Sequence, residues 1–202
     1  MRQLLRRIVA LLESVLHNAA PQTDPERVIN EFFRYGSQYY VAGRYAVFAG
    51  SMPVAGNLVH HAIEMFLKGA LAKAMSSEKL KDKLGHRLRR IWNKFKNQAN
   101  DPSLAAHDRT IKELDKFESI RYPDVLLQKG AAISFEITKT GTLQFKSVGV
   151  SQPQYKLCLE EIDEIVATIF RIATRSPKAF LTNLRREDAR LYLYRDNQSF
   201  TP

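Results

Sequence analysis

Cysteine is nearly missing from this chain of 202 residues: Cys158 stands alone in an apolar, helix-like stretch, so neither a disulfide framework nor a thiolate metal cluster is available. A reduced, cytoplasmic setting fits that usage. No GxGxxG or GxxxxGK[ST] run occurs, so no glycine-rich loop cradles phosphates, and no Gly-x-Ser-x-Gly turn supports an activated serine. No repeat of solenoid period is present. The longest uncharged run, Tyr45 to Ile63, approaches the roughly 20 residues a membrane span needs, but Gly50, Pro53, Gly56, Asn57, His60 and His61 break or hydrate it. No membrane span is expected. Histidine also runs out: the five are His17, His60, His61, His86 and His107, and none follows.

What is present suffices for one domain with terminal extensions, since 45% of the residues are hydrophobic. The formal charge is +10 and it is unevenly spread. Between Glu78 and Lys96 eight basic residues face only Glu78 and Asp82, so six of the ten surplus charges sit in that short span. Lys83, Arg87, Arg89, Arg90 and Lys94 form a candidate nucleic-acid patch, because clustered cations attract phosphates by steering and counterion release. A plain solvated helix face gives the same pattern.

Hydrophobic spacing reads mostly as helix. Residues 1–24 form an amphipathic N-terminal helix and linker, with Leu4, Leu5, Ile8, Leu11, Leu12, Val15 and Leu16 on one side; Glu13 and the lack of a small-residue cleavage site favour a packing or dimerisation helix over a transit peptide. Asp24 is placed to cap a helix from Pro25 to about Phe48, in which Val28, Phe32, Tyr35, Tyr39, Ala42 and Ala46 keep a three- to four-residue rhythm. A second helix follows the Gly50–Pro53 break. A third after Gly85-His86 carries Leu88, Ile91, Trp92 and Phe95 inward, and a fourth runs from about Leu104 to Ile120, stopped by Pro123. Ile133, Phe135 and Ile137, a turn at Lys139–Thr142, and Leu143 and Phe145 predict a β-hairpin at about 131–148. Pro153 then opens a long helix with Glu160, Glu161, Asp163 and Glu164 outward, and residues 179–202 form a C-terminal extension of short helix and extended arm. The expected fold class is all-α, an antiparallel helical bundle over 25–178 with the inserted hairpin.

The segment Asn57–Leu71, NLVHHAIEMFLKGAL, carries two stripes. Leu58, Val59, Ala62, Ile63, Phe66, Ala70 and Leu71 make an apolar face, while Asn57, His61, Glu64 and Lys68 line up one turn apart as a polar stripe. A solvated Glu64–Lys68 pair, worth about 0.2–0.5 kcal/mol, is the simple account of that stripe. HHAIEMFLKGAL, then LGHRLRRIW, then IRYPD resemble the three signature stretches of HEPN domains, in order, over roughly Phe32 to Lys178. In that family a helix with Glu and Lys one turn apart packs beside a helix introduced by a His-hydrophobic pair, and an Arg-Tyr-Pro turn closes the next helix. The resemblance implies a nucleotide link, a nucleotidyltransferase partner and a symmetric homodimer, and it selects Asn57, His61, Glu64, Lys68, His86, Arg121 and Tyr122 as candidate ligand-binding residues.

Many HEPN proteins also carry an Arg-x(4–6)-His motif that supplies metal-independent ribonuclease chemistry with the His as proton carrier. None of the five histidines here follows an arginine at that spacing, which argues against that chemistry. His60, His61 and Glu64 do not make HExxH, and adjacent histidines point about 100° apart on a helix, so no metal or other cofactor is expected. His86 reads structurally as a helix-start buttress, and Arg121 as a partner for Glu64 or Asp124; as ligand groups, arginine suits phosphate and Tyr122 suits base stacking. The leading expectation is a non-catalytic HEPN-like domain binding a nucleotide, RNA or a protein partner. The alternatives are an endoribonuclease of toxin or phage-defence type with a displaced catalytic set, and a helical interaction protein without small ligand.

Overall fold

Helix α1, Pro25–Phe48, starts where the sequence sets it: Asp24 accepts a hydrogen bond from the Glu26 backbone N–H at 3.0 Å, and Pro25 fills a first-turn position whose N–H would lack a helical partner. The computed structural model describes residues 24–139, 152–181 and 187–201; the expected N-terminal helix lies outside them. Helix α2, Met52–Leu71, follows the Gly50 break and runs back along α1, with Gly36 against Phe66 and Gly43 against Val59.

The buried face of α1 differs from the expected rhythm. Ile29, Phe33, Gly36, Tyr40 and Val47 go inward, and Tyr35, Tyr39 and Ala42 are left exposed. Two stripes one residue apart compete on this helix. The one containing Gly36 and Gly43 wins, because only there does α2 approach so closely that a Cβ would stand within 2.8 Å of its side chains.

A short helical segment, Ser77–Lys79, runs into a π-helical turn, Leu80–Leu84, and Gly85 at φ 58° reverses the chain into α3, Leu88–Ala99. Leu88, Ile91, Trp92 and Phe95 are buried, as their spacing implies. The expected fourth helix is realised in three pieces: a 3-10 turn Pro102–His107, α4 Asp108–Asp115, and a second 3-10 turn Lys116–Ile120. That last turn is seated on α2 by Phe117, whose ring lies over Gly56 where a Cβ would come within 1.9 Å. Helix α5, Pro123–Lys129, begins at the proline of the Arg-Tyr-Pro turn.

Strand β1, Ala132–Glu136, forms within the span expected for the hairpin, but it pairs in parallel with β2, Gln154–Cys158, Ile133 opposite Tyr155 and Phe135 opposite Leu157. The expected return strand near 143–147 lies outside the described residues. The long helix therefore begins at Leu159 instead of Pro153: in Gln154–Cys158, Tyr155 and Leu157 are buried and Lys156 is exposed, a period of two that reads as strand. Helix α6, Leu159–Ile172, completes an all-α fold with one inserted pair of strands; Phe170 packs at 5.0 Å from Phe33 and 5.1 Å from Phe66. Two shorter helices follow, α7, Pro177–Leu181, and α8, Glu187–Tyr194, which packs on α1 where an extended arm was expected. Among the described residues, no helix is long and apolar enough to cross a membrane.

Asp163 was expected to face outward with its acidic neighbours, and it is buried. The surface carboxylates of α6 fall at 160, 161 and 164, and Asp163 turns instead to Arg44, itself fully buried on α1. Arg44 donates in addition to the carbonyls of Tyr192, at 2.9 Å, and Arg195. The Tyr40 hydroxyl donates to Asp163 at 2.5 Å and accepts from Asn197 at 3.1 Å. Burial pushes the Asp163 carboxyl up to about 6, against the pull of Arg44 and Tyr40. These bonds hold the end of α8 and the residues after it onto the bundle. Removing one partner leaves the other charge stranded in the core, so Asp163→Asn is expected to lose about 3–5 kcal/mol in urea unfolding. Replacing both, Arg44→Met with Asp163→Leu, should recover most of that loss; a single variant as stable as the parent would contradict this account.

Candidate functional site

Glu64 is a fully buried carboxylate, and four basic side chains converge on it. Its position on α2 puts Lys68 one turn further along, where Nζ donates to Oε1 at 2.7 Å. His61, three residues before it, brings Nδ1 to 3.5 Å from Oε2. Across the helix pair, the reversal at Gly85 delivers His86, whose Nδ1 lies 3.0 Å from Oε1 and 3.2 Å from Oε2. His60 brings Nε2 to 3.8 Å from Oε2. Facing a carboxylate, Nδ1 of His86 must carry the proton, which leaves Nε2 as the open ring position.

His60 itself is buried, and each ring nitrogen meets a backbone carbonyl at 3.2 Å: Nδ1 meets Leu114, and Nε2 meets His86. Its Nε2 also lies 3.8 Å from Glu118 Oε2. His60 thereby ties α2, the end of α4 and the backbone of His86 together behind the Glu64 cluster. A desolvated carboxyl would be driven upward, but the hydrogen bonds and charges from His61, Lys68 and His86 outweigh burial and hold Glu64 at about 2. It is ionised at neutral pH.

The expected residues separate into those that meet and those that do not. Glu64, Lys68, His61 and His86 form one cluster. Arg121 stops short of it, pairing with Glu118 at 3.5 Å instead of with Glu64 or Asp124. Tyr122 is strongly exposed, with the Arg121 guanidinium 5.9 Å from its ring. Asn57 turns back to its own helix, donating to the Pro53 carbonyl at 3.1 Å. His86 does not cap α3, since the cap position is Arg87. Lys83, Arg87, Arg89, Arg90 and Lys94 are all exposed, the arginines beginning immediately after His86. Two participants escaped the sequence reading. His60 falls beside the apolar stripe of α2, between Val59 and Ile63, and a histidine there is the one signal it offered; Glu118 offered only its three-residue spacing from Arg121.

At its open edge the site is ringed by flat side chains. The Tyr39 ring lies 5.5 Å from that of His61, which lies 6.4 Å from that of His86. His60 and His61 stand at 87° to one another. Among the described residues no group of three or more His, Cys, Asp or Glu side chains is arranged to hold a metal ion. A cavity of about 270 Å³ lies away from this cluster, at the far end of α2 between Ala70, Phe95 and Ile172.

Compared with protein-family models, with curated proteins and with solved structures, the chain matches none.

The depressed Glu64 carboxyl makes stability depend on acid. An unfolded Glu64 takes its proton near 4.5 and the folded one only near 2, so between those values the unfolded chain binds more protons. The contribution of Glu64 is complete above about pH 4.5 and is lost as pH falls toward 2, roughly 3 kcal/mol in all. Urea unfolding of the parent and of Glu64→Gln across that interval should show a smaller pH slope in the variant; equal slopes would contradict the assignment.

Proposed function

We propose that this chain is a HEPN-like helical domain that binds a nucleotide or RNA at the Glu64 cluster without cleaving it. The reading rests chiefly on one observation. His61 and His86, from separate segments, are anchored on the same buried carboxylate, and the second of them opens directly onto the exposed Arg87, Arg89 and Arg90. Imidazole edges offer hydrogen bonds and stacking to a base, and the arginine forks suit phosphate oxygens. The order of the three HEPN-like stretches supports the same reading, since the first two meet at Glu64 and the 3-10 turn that leads into the third packs on α2.

A second reading has its own support. A carboxylate holding Nδ1 of a histidine that is 60% exposed leaves Nε2 able to move a proton, which is the part a metal-independent ribonuclease requires. One experiment separates the two. On incubation with mixed RNA the proposed domain leaves the RNA intact and binds it in a salt-sensitive manner, and charge removal at Arg87, Arg89 and Arg90 weakens binding and flattens its salt slope. Fragments that disappear with His86→Ala would instead establish the ribonuclease. For a nucleotide, a ligand at 100 times its dissociation constant should stabilise the protein by about 2.7 kcal/mol. Neither binding, stabilisation nor cleavage would overturn both.

A further inference from the structure

We propose that the ligand of this site is single-stranded RNA, held by stacking unpaired bases along the row of rings Tyr35, Tyr39, His61 and His86. The proposal rests on the RNA reading above and assigns it a substrate class. Tyr35 and Tyr39 are one turn apart on α1 and are 47% and 38% exposed, on the stripe that the core rejected in favour of the glycine-bearing one. They carry no packing duty toward the bundle core that would explain two large rings in water. Tyr39 continues at 5.5 Å into His61 and at a further 6.4 Å into His86, so the row crosses from α1 over α2 to the start of α3.

Cations stand at both ends. The Arg34 guanidinium lies 4.5 Å from the Tyr35 ring centroid, and Arg87 follows His86. Rings in series with flanking arginines fit a strand whose bases are open, because every base has a face to stack while its phosphates follow the cations. A duplex hides those faces and presents only backbone and groove edges, leaving the rings without a function. A lone nucleotide would engage only part of the row.

Fluorescence anisotropy with a short labelled single strand, the same strand annealed to its complement, and the free mononucleotide tests this directly. The single strand is expected to bind at least tenfold more tightly than either competitor. Tyr39→Leu should weaken it about tenfold and Tyr39→Phe should leave it nearly unchanged, since stacking needs the ring and not the hydroxyl. Both variants sit on an exposed position, and circular dichroism reports whether they fold. Equal affinity for the duplex, or a neutral Tyr39→Leu, overturns the stacking row. If charge removal at Arg87, Arg89 and Arg90 still weakens binding in that case, the RNA reading survives without it; if no RNA binds, both fail.

Discussion

A carboxylate without access to water is tolerated only where enough donors surround it, and Glu64 meets that condition with Lys68, His61 and His86. That requirement shapes much of the molecule. It fixes the path after the π-helical turn, because His86 must reach back to α2. It fixes the His86 backbone as well, whose carbonyl meets His60 Nε2, and through the Leu114 carbonyl it draws the end of α4 to the same place. Three segments distant in sequence are held side by side by one negative charge.

The second buried charge pair does different work. Arg44 and Asp163 are removed from solvent altogether, and the donors of Arg44 are spent on Asp163 and on carbonyls near the C-terminus. Nothing in that network opens outward, whereas the Glu64 cluster keeps His86 mostly exposed and His61 partly so. Similar chemistry, buried pairs with hydrogen-bonded carboxylates, thus gives a structural clasp in one place and a surface-reaching edge in the other. Exposure of the partner, not the buried acid itself, distinguishes them.

Local signals in the sequence carried most of the helices. Asp24-Pro25 marked a start, Asn100 and Pro123 marked ends, and the spacing of Leu88, Ile91, Trp92 and Phe95 gave the inward face of α3. Where two patterns overlapped, the sequence could not choose. On α1 the choice between stripes was made by how closely α2 approaches at Gly36 and Gly43, a tertiary matter. In Gln154–Cys158 a strand formed because β1 was there to pair with it. Of the site, the i, i+4 relation of Glu64 and Lys68 and the importance of His86 were legible. The burial of Glu64, the place of His60 and the diversion of Arg121 to Glu118 were not, since each depends on which helix faces which.

The central claim is that the Glu64 carboxylate makes His61 and His86 into one ligand-facing unit. Amide chemical-shift mapping with a short single-stranded oligoribonucleotide, on the parent and on Glu64→Gln, tests it most directly. Residues 61 and 86 are expected to shift together in the parent, and the joint response is expected to be lost in the variant. Unchanged shifts at both positions in Glu64→Gln, at the same RNA concentration, would contradict the account.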